Sequence, residues 1–213
     1  IIGSTGSGKT SVVNLIARFY DATAGTVAVD GVNVKARSPE ALREEIGIVP
    51  QKAVLFRGTV RSNLLWGRND ATDDELWAAL EQAQAKSFVE EKEGGLDAPV
   101  AQNGKNFSGG QRQRLTIARA LVRKPSILIL DDSSSALDYA TDAALRAAIR
   151  KLDYHPTVFL ISQRTASICH ADRILVLDDG HQVGLGTHEE LLQTCPVYRE
   201  IYDSQYRKEG ADA

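Results

Sequence analysis

Gly3-Ser4-Thr5-Gly6-Ser7-Gly8-Lys9-Thr10 matches the pattern G-x-x-x-x-G-K-[ST]. It stands between a strand end, Ile1-Ile2, and a helical stretch from Thr10 to Tyr20 carrying apolar Val12, Val13, Leu15, Ile16 and Phe19. This order of strand, glycine loop and helix is the stronger half of the reading. Glycines let backbone amides turn inward on a chain of phosphates, and the start of the helix adds a favourable dipole. Lys9 then reaches the β- and γ-phosphates, and the Thr10 hydroxyl can ligate Mg²⁺. The candidate nucleotide-binding residues are Gly3, Ser4, Thr5, Gly6, Ser7, Gly8, Lys9, Thr10 and Ser11.

Working outward, Thr26 to Val34 alternates around Asp30-Gly31 and predicts a hairpin, Pro39 opens a short helix, and Ile46 to Val49 is a strand that stops at Pro50. From Thr59 to Val122 the pattern is helical. Asp73 and Asp74 open a helix with Leu76, Leu80 and Ala83 on one face, and a basic helix runs from Gln111 to Arg123. Ile127 to Leu130 and Val158 to Ile161 are β-branched runs suited to buried parallel strands, separated by a helix from about Tyr139 to Leu152. A last hairpin, Arg173 to Val183 around Asp179-Gly180, precedes a helix capped near Thr187 with Glu190 three residues on. Alternation of strands and helices predicts an α/β fold with a parallel-sheet core, an antiparallel β part and an inserted helical subdomain.

With 213 residues, 43% hydrophobic and 25% charged, the chain has ordinary globular composition. A net charge of -3 and no strong basic block argue against a nucleic-acid partner, since nonspecific affinity for nucleic acid needs excess Lys and Arg. Cys169 and Cys195 are far apart and without the spacing of a zinc site, which fits a reducing compartment. The longest apolar runs fall well short of the roughly 20 residues of a membrane-spanning helix. The chain contains no Met and opens two residues before the glycine loop, so a piece of a longer polypeptide is expected.

Leu128-Ile129-Leu130-Asp131-Asp132 is a strand ending in two carboxylates. Such a pair can cap the following helix, or, downstream of a phosphate loop, hold a metal with the first acid and act on water with the second. Phe107-Ser108-Gly109-Gly110-Gln111, followed by Arg112-Gln113-Arg114, resembles the signature motif of ATP-binding cassette (ABC) ATPases. The similarity extends over essentially the whole chain. Gln51 resembles the Q-loop glutamine, Ser135-Ala136-Leu137-Asp138 the D-loop, and Ile161-Ser162-Gln163-Arg164 the switch region. Val54 to Val60 and Ala171 to Leu177 are most similar to exporter-type members.

The resemblance implies the ABC ATPase fold over residues 1–213, with a catalytic core at 1–58 and 123–213 and a helical subdomain at 59–122. It implies ATP and Mg²⁺ as cofactors, the metal being held by Thr10, Gln51 and Asp131, and ATPase chemistry involving Lys9, Asp132 and Gln163. It further implies that Ser108, Gly109, Gly110 and Gln111 grip the γ-phosphate held by a second nucleotide-binding domain, and that Asp138 belongs to the D-loop. Transmembrane domains of the same transporter are the other expected partner, at the cytoplasmic face of a cell membrane. The aromatic residue that stacks on adenine in relatives would lie before Ile1.

Three positions depart from the family. Asp132 stands where the catalytic residue is normally Glu, Gln163 where the switch is normally His, and Gln102 where exporters usually carry an acid. Asp is shorter by one methylene, about 1.5 Å of reach, and an amide carries neither a proton nor a positive charge to the γ-phosphate. The signature itself is intact. These features predict a slow-hydrolysing half that pairs with a non-identical, competent partner. Two other readings stay open: an ATP-gated dimerisation module that does not hydrolyse, and a soluble ABC ATPase of DNA maintenance, although no long heptad-bearing insertion is present.

Overall fold

In the computed structural model, which describes residues 1–206, the chain divides into two units. Residues 207–213, included in the domain read from the sequence, lie outside the described residues. One unit comprises Ile1–Leu42 with the chain from Phe159 onward, the other Arg43–Val158. The first opens with strand β1 (Ile2–Gly3), helix α1 (Lys9–Ile16), strands β2 (Ala28–Val29) and β3 (Val32–Asn33), and the start of helix α2 (Pro39–Glu44). The second holds β4 (Ile46–Val49), β5 (Gly58–Thr59), α3 (Val60–Leu65), α4 (Asp73–Gln82), α5 (Lys86–Glu90), β6 (Pro99–Val100), α6 (Gly109–Val122), β7 (Ile127–Asp131) and α7 (Tyr139–Arg150). The first unit resumes at Phe159 within β8 (Thr157–Ile161) and continues with α8 (Thr165–Ile168), β9 (Ile174–Asp178), β10 (His181–Gly186), α9 (His188–Thr194) and α10 (Pro196–Tyr206).

Both Asp-Gly pairs turn hairpins. Asp30 and Gly31 have φ of 51° and 76°, Asp179 and Gly180 of 44° and 77°, the left-handed pair that a two-residue turn between twisted strands requires. In the first unit β1 runs parallel to β9, with Ile2 opposite Val176 and Gly3 opposite Leu177, and β10 returns antiparallel to β9. Ile2, Ile168, Ile174, Val176, Leu191, Cys195 and Tyr198 form the apolar cluster beneath them. Helix α1 stops at Ile16, four residues before the periodicity predicts. Arg18 turns left-handed at φ 50° and spends its guanidinium on the Val34 and Arg37 carbonyls (3.3 and 2.9 Å), so Phe19 and Tyr20 leave the helix and are exposed.

In the second unit β4 and β7 pair in parallel from Ile46 opposite Ile127 to Val49 opposite Leu130, and Leu128 and Ile129 are fully buried. The continuous apolar run of β7 reflects burial on both faces. Burial of the other predicted strand is corrected: in β8 only Ile161 is buried and Val158 is 40% exposed. Helix α6 packs against α3 and α4; Leu115, Ile117 and Leu121 of α6, Leu64 of α3, and Leu76 and Leu80 of α4 are all buried. It begins at Gly109, two residues before the predicted start, because Ser108 and Gln111 form a reciprocal capping box. Thr72 with Glu75 and Thr187 with Glu190 start α4 and α9 in the same way. Among the described residues no helix is long and apolar enough to cross a membrane.

Candidate nucleotide-binding site

The glycine loop belongs to the first unit. Gly3 has φ 157°, and a Cβ there would stand 2.1 Å from the Leu177 carbonyl oxygen, so parallel pairing with β9 admits only glycine. The chain then turns with Ser7 N–H donating to the Ser4 carbonyl at 3.2 Å, while Ser4, Thr5 and Gly6 stay exposed. Gly8, left-handed at φ 92°, is the N-cap of α1, and no side chain caps that helix. The backbone at its start is thereby left facing outward, with exposed Thr10 and Ser11 on the first turn. Lys9 curls back over the loop. Its ammonium donates to the Gly3 and Ser4 carbonyls (3.0 and 2.6 Å) and to Ser7 Oγ (3.4 Å). Loop carbonyls thus hold a positive charge against the loop, where an anion would be received.

The same unit carries the switch segment. Ser162, fully buried, donates its N–H to the Ile1 carbonyl (3.2 Å), and Gln163 follows with its side chain exposed. Arg164 N–H donates to Ser162 Oγ at 3.0 Å. Sequence reading missed Gln205 of α10. Its Oε1 accepts from Thr165 N–H (2.9 Å) and Thr165 Oγ1 (2.8 Å), and its Nε2 donates to the Gln163 carbonyl (2.6 Å). No local pattern announces a contact across about forty residues.

The second unit brings Gln51 and the acid pair together. Asp131 is the last residue of β7 and is half-buried; Asp132 follows at φ 45°, a region that Asp tolerates better than most residues. Gln51 Nε2 donates to Asp132 Oδ2 at 3.2 Å. The Asp132 carbonyl accepts from Ser135 N–H (3.2 Å) and Ser135 Oγ (2.9 Å), which tightens the turn leading to Asp138. Asp138 is the N-cap of α7 and accepts from Thr141 N–H and Thr141 Oγ1, both at 2.8 Å. These bonds, backbone amide first, hold the Asp138 carboxyl below its ordinary range. The helix-cap reading of an acid in this region therefore falls on Asp138.

At the signature, Ser108 Oγ accepts from Gln111 N–H (3.2 Å) and Gln111 Oε1 accepts from Ser108 N–H (3.0 Å). Ser108 and Gly109 are exposed and Gly110 half-buried, so the first turn of α6, which is 14 residues long, presents its dipole outward. The hydroxyl hydrogen of Ser108 is not consumed in the capping box and remains a donor. The S-x-x-Q spacing was the local signal for this helix start. Gln102 is exposed at the start of the turn Gln102–Gly104, and nothing in the structure explains its departure from the family pattern.

These features match known proteins throughout the chain. The family model for ABC transporters matches residues 1–135. An uncharacterised ABC transporter ATP-binding protein of Mycobacterium tuberculosis is 49% identical over 208 residues, covering 96% of this chain and 35% of that protein. A similarly described protein of Bacillus subtilis is 44% identical over 213 residues, 100% of this chain and 37% of its own length. Among solved structures, a bacterial Atm1-family ABC exporter with ATP bound superposes with a TM-score of 0.92 at 36% identity, over 96% of this chain and 36% of that one. The chain belongs to the ABC transporter family and has the ABC ATPase fold, an α/β core with parallel strands and helical parts. It spans about a third of the length of the relatives that it matches.

Proposed function

We propose that this chain is the ATP-binding motor domain of a membrane exporter, with a weakened hydrolytic site of its own and a signature face that completes the site of a non-identical partner domain. The carrying observation is the Lys9 ammonium held over the loop by the Gly3 and Ser4 carbonyls, at a helix start that no side chain caps. In this reading the amides of Ser4 to Ser11 cradle the phosphates and Lys9 neutralises the β- and γ-phosphates. Thr10, Gln51 and Asp131 supply a hydroxyl, an amide oxygen and a carboxylate, hard oxygen donors of the kind Mg²⁺ takes. When bound, the metal would neutralise charge building on the phosphates.

Asp132 is the candidate base and Gln163 the γ-phosphate contact. Misplacement by about 1 Å costs roughly a hundredfold in rate, about 2.7 kcal/mol in barrier. By the family pattern, the shorter Asp132 and the uncharged Gln163 are both departures that favour slow turnover of the nucleotide this domain binds. Ser108, Gly109, Gly110 and Gln111 would receive the partner's γ-phosphate, with Asp138 holding the neighbouring loop. Binding that favours a closed pair of domains by differential affinity, and release on hydrolysis, is the motor step. We retain 1–58 and 123–213 as its catalytic core and 59–122 as its helical subdomain.

A transmembrane partner is supported by an exposed aromatic pair in the second unit. Phe56 and Trp66 stack at 4.8 Å, with Trp66 69% exposed, beside a cleft of about 770 Å³ lined by Glu44, Leu65, Trp66 and Arg123. A non-hydrolysing ATP latch is the second reading, favoured by Asp132 and Gln163 themselves. Phosphate release per assembled dimer, with and without a competent partner, separates them. The motor reading expects slow release by this chain alone and turnover in the pair that Lys9→Ala diminishes; full-rate hydrolysis by this chain alone overturns the weakened-site assignment, and none in any assembly favours the latch.

A further inference from the structure

We propose that Gln205 is a positioning residue for the switch segment, and that through it helix α10 sets how strongly this domain distinguishes ATP from ADP. The inference rests on the reading of Gln163 as the γ-phosphate contact.

Gln163 is pinned on both sides. Before it, Ser162 N–H is tied to the Ile1 carbonyl. After it, the single amide of Gln205 makes three bonds, accepting from Thr165 N–H and Thr165 Oγ1 and donating to the Gln163 carbonyl. The orientation of that amide is dictated by its partners, because a backbone N–H can only donate and a carbonyl can only accept. Thr165 is fully buried, so losing Gln205 would leave its N–H and hydroxyl without this acceptor, away from water. The Gln163 carbonyl would lose its grip at the same time. The side chain of Gln163 is exposed, while its backbone carbonyl is held by Gln205 of α10.

The helix that presents Gln205 is itself firmly seated. Tyr198, seven residues earlier and therefore on the same face, is fully buried and its hydroxyl meets His188 Nδ1 at 2.8 Å. Tyr198 packs in the cluster that also contains Ile2 and Val176. Ile2 is the residue immediately before Gly3, so the base of the phosphate loop and the anchor of the switch clamp share one apolar cluster within one unit.

The test uses this chain with Gln205→Ala, Gln205→Glu, Gln163→Ala and the Gln205→Ala/Gln163→Ala double variant. ATP and ADP affinities are read by displacement of a fluorescent nucleotide, and amide hydrogen exchange is read across residues 162–167. In Gln205→Ala we expect Thr165 exchange to rise at least about tenfold, ATP to bind about threefold to tenfold more weakly, and ADP to stay within about twofold. Gln205→Glu keeps the acceptor for Thr165 and loses the donor to Gln163, so its exchange at Thr165 should stay near the parent while ATP affinity falls. The double variant should be no weaker for ATP than Gln163→Ala alone.

Unchanged exchange at Thr165 in Gln205→Ala overturns the clamp. Equal loss of ATP and ADP binding overturns the positioning role in favour of general destabilisation, as does an additive double variant. If Gln163→Ala leaves the ATP-to-ADP ratio unchanged while Thr165 exchange still rises in Gln205→Ala, the γ-phosphate reading has failed and the nucleotide role of Gln205 falls with it.

Discussion

Gln51 donates its side-chain amide to Asp132 at 3.2 Å, joining residues 81 positions apart in the sequence. One is the candidate metal ligand of the Q-loop and the other the candidate base. The bond gives the acid a fixed partner within its own unit. A double-mutant cycle on Gln51→Ala and Asp132→Ala, read by urea unfolding, should show a coupling of about 0.5–1.5 kcal/mol. Additive variants would mean that the bond contributes nothing in solution.

Restoring the family pattern should raise turnover. Asp132→Glu with Gln163→His, assembled with a competent partner, is expected to increase hydrolysis at this domain's site by tenfold or more, up to about the hundredfold that misplacement costs. The left-handed φ of 45° at Asp132 should make the Glu variant slightly less stable, by about 0.5–1 kcal/mol. Site-resolved phosphate release that does not change contradicts the assignment of these two residues as limiting.

The signature face is tested by Gly110→Asp. A Cβ at Gly110 stands 3.2 Å from the Ala136 carbonyl oxygen, and a carboxylate there opposes any approaching phosphate. Turnover at the partner's site should fall about a hundredfold or more, while ATP binding to this domain's own loop is retained. Normal ATPase activity of the assembled variant removes the cross-interface role.

The helical part should lose stability in acid through Glu75. Its carboxyl is drawn from an ordinary 4.5 to about 2, first by the Arg68 guanidinium and then by the Thr72 backbone bond of the capping box. Because the folded value lies below the unfolded one, the stabilisation is complete above about pH 4.5 and is lost as pH falls through about 2. Glu75→Gln should flatten the denaturation midpoint across that window and lower it at neutral pH. An identical pH profile in the variant would assign the acid sensitivity to other carboxylates such as Asp97, Asp138 and Glu190, which are also held low.

Much of the site was legible because its chemistry is local. A phosphate loop needs its glycines, lysine and hydroxyl within eight consecutive residues, and Gly3 to Thr10 supplies them. The Asp-Gly hairpins and the strand of β7 were legible for the same reason: left-handed turns and double-sided burial leave marks in adjacent residues. Helix ends were read less well. Periodicity in the Phe19 region and near Gln111 does not register a long-range hydrogen bond from Arg18 or a capping box that moves the first turn.

By itself the sequence determined the family, the α/β class, the loop that meets phosphates and the three departures at Gln102, Asp132 and Gln163, since all of these are properties of residue type and short spacing. Only the tertiary structure decided which side chains hold those residues in place. That Gln51 meets Asp132, that Asp138 caps α7, and that Gln205 clamps the backbone around Gln163 follow from chain folding across tens of residues. A polar side chain takes whichever donor or acceptor packing brings within about 3 Å, and no pattern along the chain encodes that distance.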